Sequence, residues 1–269
     1  IYMDVELRNR YLFSQELVKE VGKIALDFYL KRKELKIECK KGDLQDQVSI
    51  ADKTVEAKIK EALKQRFPQD GFLGEESGAE NLACEYCWVV DPIDGTSPFL
   101  YGLNAWCVSI AILHKNQIVS GVIFDPVHNE LFRAMKGDGA FLNDQPIHAS
   151  SSTSLKEGLM GLGVSHRIHP DTFTPVLHQI LLDGGMFIRN GSGALMLVYV
   201  AAGRLIGYFE PHINAWDVCA AIIIVQEAGG YVNNFLENEG LIKGNYILGC
   251  CTEALFAELN QIRNSHEIR

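Results

Sequence analysis

Trp88-Val89-Val90-Asp91-Pro92-Ile93-Asp94-Gly95-Thr96 is the stretch on which the reading of this chain turns. Cys87 to Val90 is a short apolar run of strand-like residues. It ends in two carboxylates three positions apart, with Pro92 fixing the backbone between them. Two acids at one strand end invite a hard cation. Gly95-Thr96 allows a tight turn, and Pro98 suits the first turn of a following helix, where its missing N–H costs nothing. The unpaired amides of a helix start seat an anion such as phosphate. Metal ligands beside an anion seat are what phosphoryl chemistry needs, because attack and departure both load negative charge onto oxygen. Alone, the same residues read as a strand and an Asp-Gly turn, common in any α/β protein. The weight therefore rests on the acidic stretches elsewhere.

Upstream, Leu7, Tyr11, Val18, Val21, Ala25 and Phe28 recur at helical spacing and predict a long amphipathic helix over about residues 5 to 31. A lysine-rich stretch from Lys31 to Lys41 reads as an exposed connection. Asp46 to Asp52 leads into a second helix with Val55, Ile59 and Leu63 in a stripe, stopped by Pro68. An Asp at position 52 has an ordinary use as a helix N-cap. Gly74-Glu75-Glu76-Ser77-Gly78 is a polar break before the central strand.

Downstream, Cys107 to Leu113, Gln117 to Phe124, Glu130 to Ala134 and Ala140 to Leu142 read as strands of an antiparallel meander, separated by turn residues. Past about residue 148 helix and strand alternate. Ala194 to Ala202, Trp216 to Ala228 and Thr252 to Arg263 read as helices; Leu205 to Phe209, Tyr231 to Phe235 and Tyr246 to Cys250 read as strands. The expectation is an α+β part over 1–148 with most of the candidate metal ligands, and an α/β part over 149–269, sharing a cleft.

At 269 residues with 47% apolar composition the chain has ample material for a core. No apolar run approaches a membrane span and no secretory signal precedes the first amphipathic segment, which predicts a cytoplasmic protein without a membrane partner. Met3, after Ile1-Tyr2, reads as a natural start. The net charge of −9 argues against a surface that coats nucleic acid. Seven cysteines, an odd and scattered set, fit a reducing compartment better than a disulfide framework, and Cys84-Glu-Tyr-Cys87 lacks the second pair that a zinc site needs.

Acids or phosphate-binding backbone thus recur at four places: Asp46 to Asp52, Glu75, Asp91 to Thr96, and Glu210 to Asp217, where Asp217 falls in the first turn of a very apolar helix. With Gly74-Glu75-Glu76-Ser77, Gly191-Ser192-Gly193-Ala194, Trp216-Asp217 and Glu227-Ala228-Gly229-Gly230 in this order, the chain resembles the inositol monophosphatase family of lithium-sensitive, magnesium-dependent phosphatases. The resemblance runs from Lys41 through Gly230, and the motifs are specific as a set rather than singly.

The resemblance implies a layered αβαβα sandwich, usually a homodimer. It implies Glu75, Asp91 and the Ile93 carbonyl around a first Mg²⁺, Asp91, Asp94 and Asp217 around a second, and a third, weaker ion near Glu75. Oxygen-only ligands suit magnesium. By the same resemblance the amides of Gly95 and Thr96 receive the phosphate, and Glu75, together with Thr96 backed by Asp52, orients the attacking water. Lys41 matches a lysine near that water. Glu210 matches the acid that binds substrate hydroxyls, Gly191, Ser192 and Gly193 belong to the loop lining the ring, and Ser165 falls where a ring-contacting serine is expected.

Two departures bear on the substrate. Ser97-Pro98-Phe99 stands where the family commonly has a residue followed by Asn-Phe, and Trp106 is similar to relatives that hydrolyse histidinol phosphate. The implied activity is hydrolysis of a small polyol phosphate, foremost myo-inositol 1-phosphate. Histidinol phosphate is the nearest alternative substrate, and the 3′-phosphoadenosine and fructose bisphosphate branches of the family come next. A regulatory contact with transcription machinery, as in some bacterial members, is the alternative role.

Overall fold

The computed structural model describes residues 5–266, so Met3 lies outside the described residues. Helix α1 (Val5–Leu30) buries the stripe of Tyr11, Leu17, Val18, Val21 and Ala25. The lysine-rich segment after it is more than a plain connection: its β1 (Glu38–Cys39) pairs with β2 (Gln47–Val48) as a small antiparallel ribbon. Helix α2 (Ile50–Arg66) starts at Ser49, and Asp52 is the third helical residue of a capping box rather than the cap itself.

One sheet of eight strands follows, built from β3 (Gly71–Gly74), β4 (Gly78–Glu80), β5 (Tyr86–Asp94), β6 (Cys107–His114), β7 (Gln117–Asp125), β8 (Glu130–Met135), β9 (Ala140–Leu142) and β10 (Gln145–Pro146). From β5 onward its neighbours are antiparallel, as the turn residues predict; Lys115-Asn116 takes positive φ at both positions, the two-residue hairpin geometry. β3 pairs parallel to β5. The break at Gly74 to Gly78 is therefore a turn between two strands too short and glycine-rich to announce themselves. β5 leads through Gly95 into the short helix α3 (Thr96–Tyr101).

The second sheet holds five strands: β11 (Leu159–Leu162), β12 (Met186–Ile188), β13 (Gly207–Ile213), β14 (Tyr231–Val232) and β15 (Asn245–Cys250). Between and around them lie α4 (Thr174–Leu182), α5 (Gly193–Ala201), α6 (Ala215–Glu227), a single turn α7 (Gly240–Lys243) and α8 (Glu253–Ser265). The strand expected over Tyr231 to Phe235 stops at Val232. Asn233 ends the ladder by exchanging side-chain bonds with Tyr246 O (2.9 Å) and Leu248 N (2.8 Å).

Five layers result: α1 and α2, the eight-stranded sheet, α5 and α6, the five-stranded sheet, then α4 and α8. The middle helices are apolar on every side because sheets cover both of theirs. Gly121 on β7 admits the α6 backbone so closely that a Cβ there would stand 2.4 Å from Ala220 O. One apolar cluster runs from Val89 and Ile123 through α5 and α6 to Leu248 and Leu255, so residues from both halves share a core. Among the described residues no helix is long and apolar enough to cross a membrane.

Candidate metal and phosphate site

The parallel register of β3 on β5 sets Gly74 opposite Val90, so Glu75 emerges beside Asp91; its N–H donates to Val90 O at 3.3 Å. The turn is pinned from α2, where buried Glu56 accepts from Glu76 N (2.8 Å) and Ser77 N (2.7 Å). Past Asp91 the β5–β6 ladder breaks register until Asp94. In that break Asp91 Oδ1 accepts from Ile93 N at 3.0 Å, and the Ile93 side chain enters the core while its carbonyl stays within 3.2 Å of Thr96 Oγ1. The same hydroxyl lies near Asp52, whose other oxygen accepts from Ser49 N and Oγ.

The two middle helices deliver the rest. Asp94 accepts from the Ser192 hydroxyl and, at 2.9 Å, from Ala194 N, so it caps α5 from outside that helix. Asp217 lies in the first turn of α6 and accepts from Asn214 N at 3.0 Å. One oxygen each from Asp91, Asp94 and Asp217 falls within 4.8 Å of the others.

Burial first, and then the neighbouring carboxylates, push Asp91 and Asp94 well above the usual carboxylate range and Asp217 to about 7. Burial likewise raises Glu75, against the pull of Lys40. Carboxylates so crowded and so far from water are short of positive charge, and their donors are all oxygen. That set fits a hard divalent ion such as Mg²⁺.

A cleft opens above the cluster. Glu75, Gly95, Thr96 and Pro98 line one part of it; Asp94, Gly163, Glu210 and Asp217 line the adjoining part, and Arg189 lines both. Gly191 lines both and holds φ +95°, with the Pro98 ring 2.6 Å from where a Cβ would stand. Glu210 on β13 accepts from Tyr208 Oη, and burial raises it to about 7.

Some expected residues do not join the site. Lys41 is exposed at φ +50°, and its neighbour Lys40 reaches Glu75 (2.9 Å) and Glu76 (2.6 Å) instead. Nothing in a lysine run says which member turns inward. Ser165 accepts from Arg167 N at 3.2 Å within its own loop and does not line the cleft. Trp106, read in the sequence as a departure bearing on substrate rather than as a site residue, is fully buried against Tyr29 and Phe99. Tyr208, overlooked in the sequence, carried a signal: two residues before Glu210 on a strand, it shares that face.

The sequence pattern described as the inositol monophosphatase family matches residues 6–267. An inositol-1-monophosphatase of Mesorhizobium japonicum is 38% identical over 212 residues, 76% of this chain and 80% of that protein. A Nus factor SuhB of Haemophilus influenzae is 36% identical over 231 residues, 84% of this chain and 86% of that protein. The crystal structure of extragenic suppressor protein suhB from Bartonella henselae superposes with a TM-score of 0.86 at 32% identity, covering 94% of this chain and 98% of that one. By sequence pattern, by its relatives and by its layered fold, this chain belongs to the inositol monophosphatase family.

Proposed function

We propose that this chain is a Mg²⁺-dependent phosphomonoesterase for a small polyol phosphate, foremost myo-inositol 1-phosphate, releasing inositol and phosphate. The observation that carries the reading is the convergence of Glu75, Asp91, Asp94 and Asp217 with the Thr96–Asp52 pair at the foot of one cleft. Glu75, Asp91 and the Ile93 carbonyl would hold one ion, and Asp91, Asp94 and Asp217 a second. Bound Mg²⁺ supplies Lewis-acid charge to the attacking water and to the departing alkoxide oxygen.

The chain's own groups do the positioning. Gly95 and Thr96 offer amides to the phosphate, whose three oxygens must be held for in-line attack. Glu75 accepts one hydrogen of the attacking water. Thr96 Oγ1 accepts a hydrogen bond from the other. As the water oxygen bonds to phosphorus and the ester P–O bond breaks, Thr96 takes that one proton and passes its own to Asp52 Oδ1, whose affinity for a proton burial raises. The departing alkoxide takes a proton from solvent. Glu210 receives a substrate hydroxyl. Histidinol phosphate stays the alternative substrate; Trp106, which suggested it, packs in the core.

Relatives named Nus factor favour a second reading, a contact with transcription machinery. A Glu75→Gln variant that lost phosphate release yet kept its role in the cell would support it.

Phosphate release with Mg²⁺ from inositol 1-phosphate, histidinol phosphate and 3′-phosphoadenosine 5′-phosphate tests the main reading. The expected result is preference for inositol 1-phosphate, reduced about a hundredfold or more by Asp94→Asn. Preference for another ester would replace the substrate, and an active Asp94→Asn protein would overturn the site.

A further inference from the structure

Tyr208 is fully buried on β13, and its hydroxyl donates to Oε2 of Glu210 two residues further along the same strand face. Among the described residues this is the one hydrogen bond that Glu210 receives from the protein. Oε1 is therefore the oxygen left for a ligand, in the part of the cleft lined by Asp94, Gly163 and Asp217.

Two glycines make room for the pair. A Cβ on Gly163 would lie 2.1 Å from Glu210 Oε2 and 2.6 Å from Tyr208 Oη, and a Cβ on Gly193 would lie 3.1 Å from the same hydroxyl. Gly163 follows β11 and Gly193 starts α5, so the phenol is wedged where two elements meet the cleft.

A carboxylate on a free side chain spreads over several rotamers, and a ligand must bear the cost of choosing one. One anchored oxygen removes most of that cost. It also spends one acceptor, so the remaining oxygen is presented in a fixed direction.

We propose that Tyr208 is a positioning residue for substrate recognition: by holding Oε2 of Glu210 it aims Oε1 at a hydroxyl of the alcohol half of the ester, and so selects hydroxyl-bearing phosphate esters. The inference rests on the polyol phosphatase reading and adds to it the residue that sets the choice of leaving group. Tyr208 touches neither the phosphate nor the attacking water in this scheme. Its effect belongs in KM for esters that carry hydroxyls.

The test compares inositol 1-phosphate with phenyl phosphate, which has no hydroxyl, in the full-length protein with Mg²⁺. Tyr208→Phe keeps the ring and removes the donor. Expected is a rise in KM for inositol 1-phosphate of about tenfold, the size of one charge-assisted hydrogen bond, with kcat within about twofold and phenyl phosphate unaffected. Gly163→Ala displaces only side-chain ends and should give the same pattern by pushing the pair apart from the other side. The double variant Tyr208→Phe/Glu210→Gln should be no worse than Glu210→Gln alone.

Equal losses on both esters, or losses that add in the double variant, would overturn the proposal. If the wild-type protein prefers inositol 1-phosphate and Tyr208→Phe keeps that preference in full, the role of Tyr208 falls while the polyol reading stands. A wild-type protein with no preference for the hydroxyl-bearing ester sinks both.

Discussion

Thr96 Oγ1 lies 3.1 Å from Asp52 Oδ1, joining the start of α3 to the first turn of α2 across 44 residues. Asp52 Oδ2 is taken by Ser49, so Oδ1 has this hydroxyl as its neighbour. Asp52→Asn should lower kcat about a hundredfold, within the range for loss of a proton-transfer partner, with little change in KM. Thr96→Ser should keep most of the activity and Thr96→Ala should not. Steady-state kinetics would count against the pair acting together if the losses in the Asp52→Asn/Thr96→Ala double variant simply multiplied.

Lys40 and Lys41 are adjacent in sequence and differ in consequence. Lys40 bridges Glu75 and Glu76 from a partly buried position, whereas Lys41 points its charge at solvent. Lys40→Met leaves two carboxylates facing each other and should cost about tenfold in kcat, the effect of about 1.4 kcal/mol. Lys41→Met should stay within about twofold. Side-by-side assays that gave the reverse order would place the wrong lysine at the site.

The clustered acids predict a pH signature. Burial first, and then the neighbouring Glu75 carboxylate, push Asp217 up to about 7 in the folded, metal-free chain, from the ordinary 3.8 of a free aspartate. A raised folded value means that the folded state binds the proton more tightly. The penalty for ionising it is absent at low pH, grows as pH rises through the window between these values, and is complete above about 7. Asp91 and Asp94 shift in the same direction. Metal-free protein should therefore lose stability from about pH 4 to about pH 7, and Mg²⁺, which relieves the repulsion, should raise Tm more at about pH 8 than at about pH 5. Scanning calorimetry with and without Mg²⁺ checks this; a larger shift at the lower pH would contradict it.

Gly191 should resist replacement more than another positive-φ glycine. Both Gly191 (φ +95°) and Gly137 (φ +83°) would strain an alanine backbone, but only at Gly191 does a Cβ also meet an atom, the Pro98 ring at 2.6 Å. Gly137→Ala should cost about 1 kcal/mol and Gly191→Ala clearly more, with activity falling because the loop also carries Ser192 to Asp94. Equal unfolding midpoints for the two variants would show that Pro98 simply moves aside.

What the sequence made readable follows from how local each signal is. The meander from β6 to β9 is written in alternation and turn residues, and the apolar helices α5 and α6 in composition. The acidic motif at Asp91 to Thr96 sits within one strand and one turn, so its type shows in a dozen letters. Long-range pairing leaves no such trace. That β3 lies parallel to β5 and delivers Glu75 beside Asp91 depends on a register between neighbouring strands that β4 separates along the chain. Which lysine turns inward depends on one left-handed residue, Lys41. Trp106 was legible as a large aromatic, but its burial against α1 is a tertiary fact.

Asp94 meets Ala194 across 100 residues of chain. An acid on the eight-stranded sheet thus finishes the start of a helix in the layer beyond it. Contacts so distant along the chain close late, after the hairpins and the local helices have formed. During refolding from denaturant, helical circular dichroism should return first and phosphate release last, so catalytic competence in this chain reports that all five layers have come together.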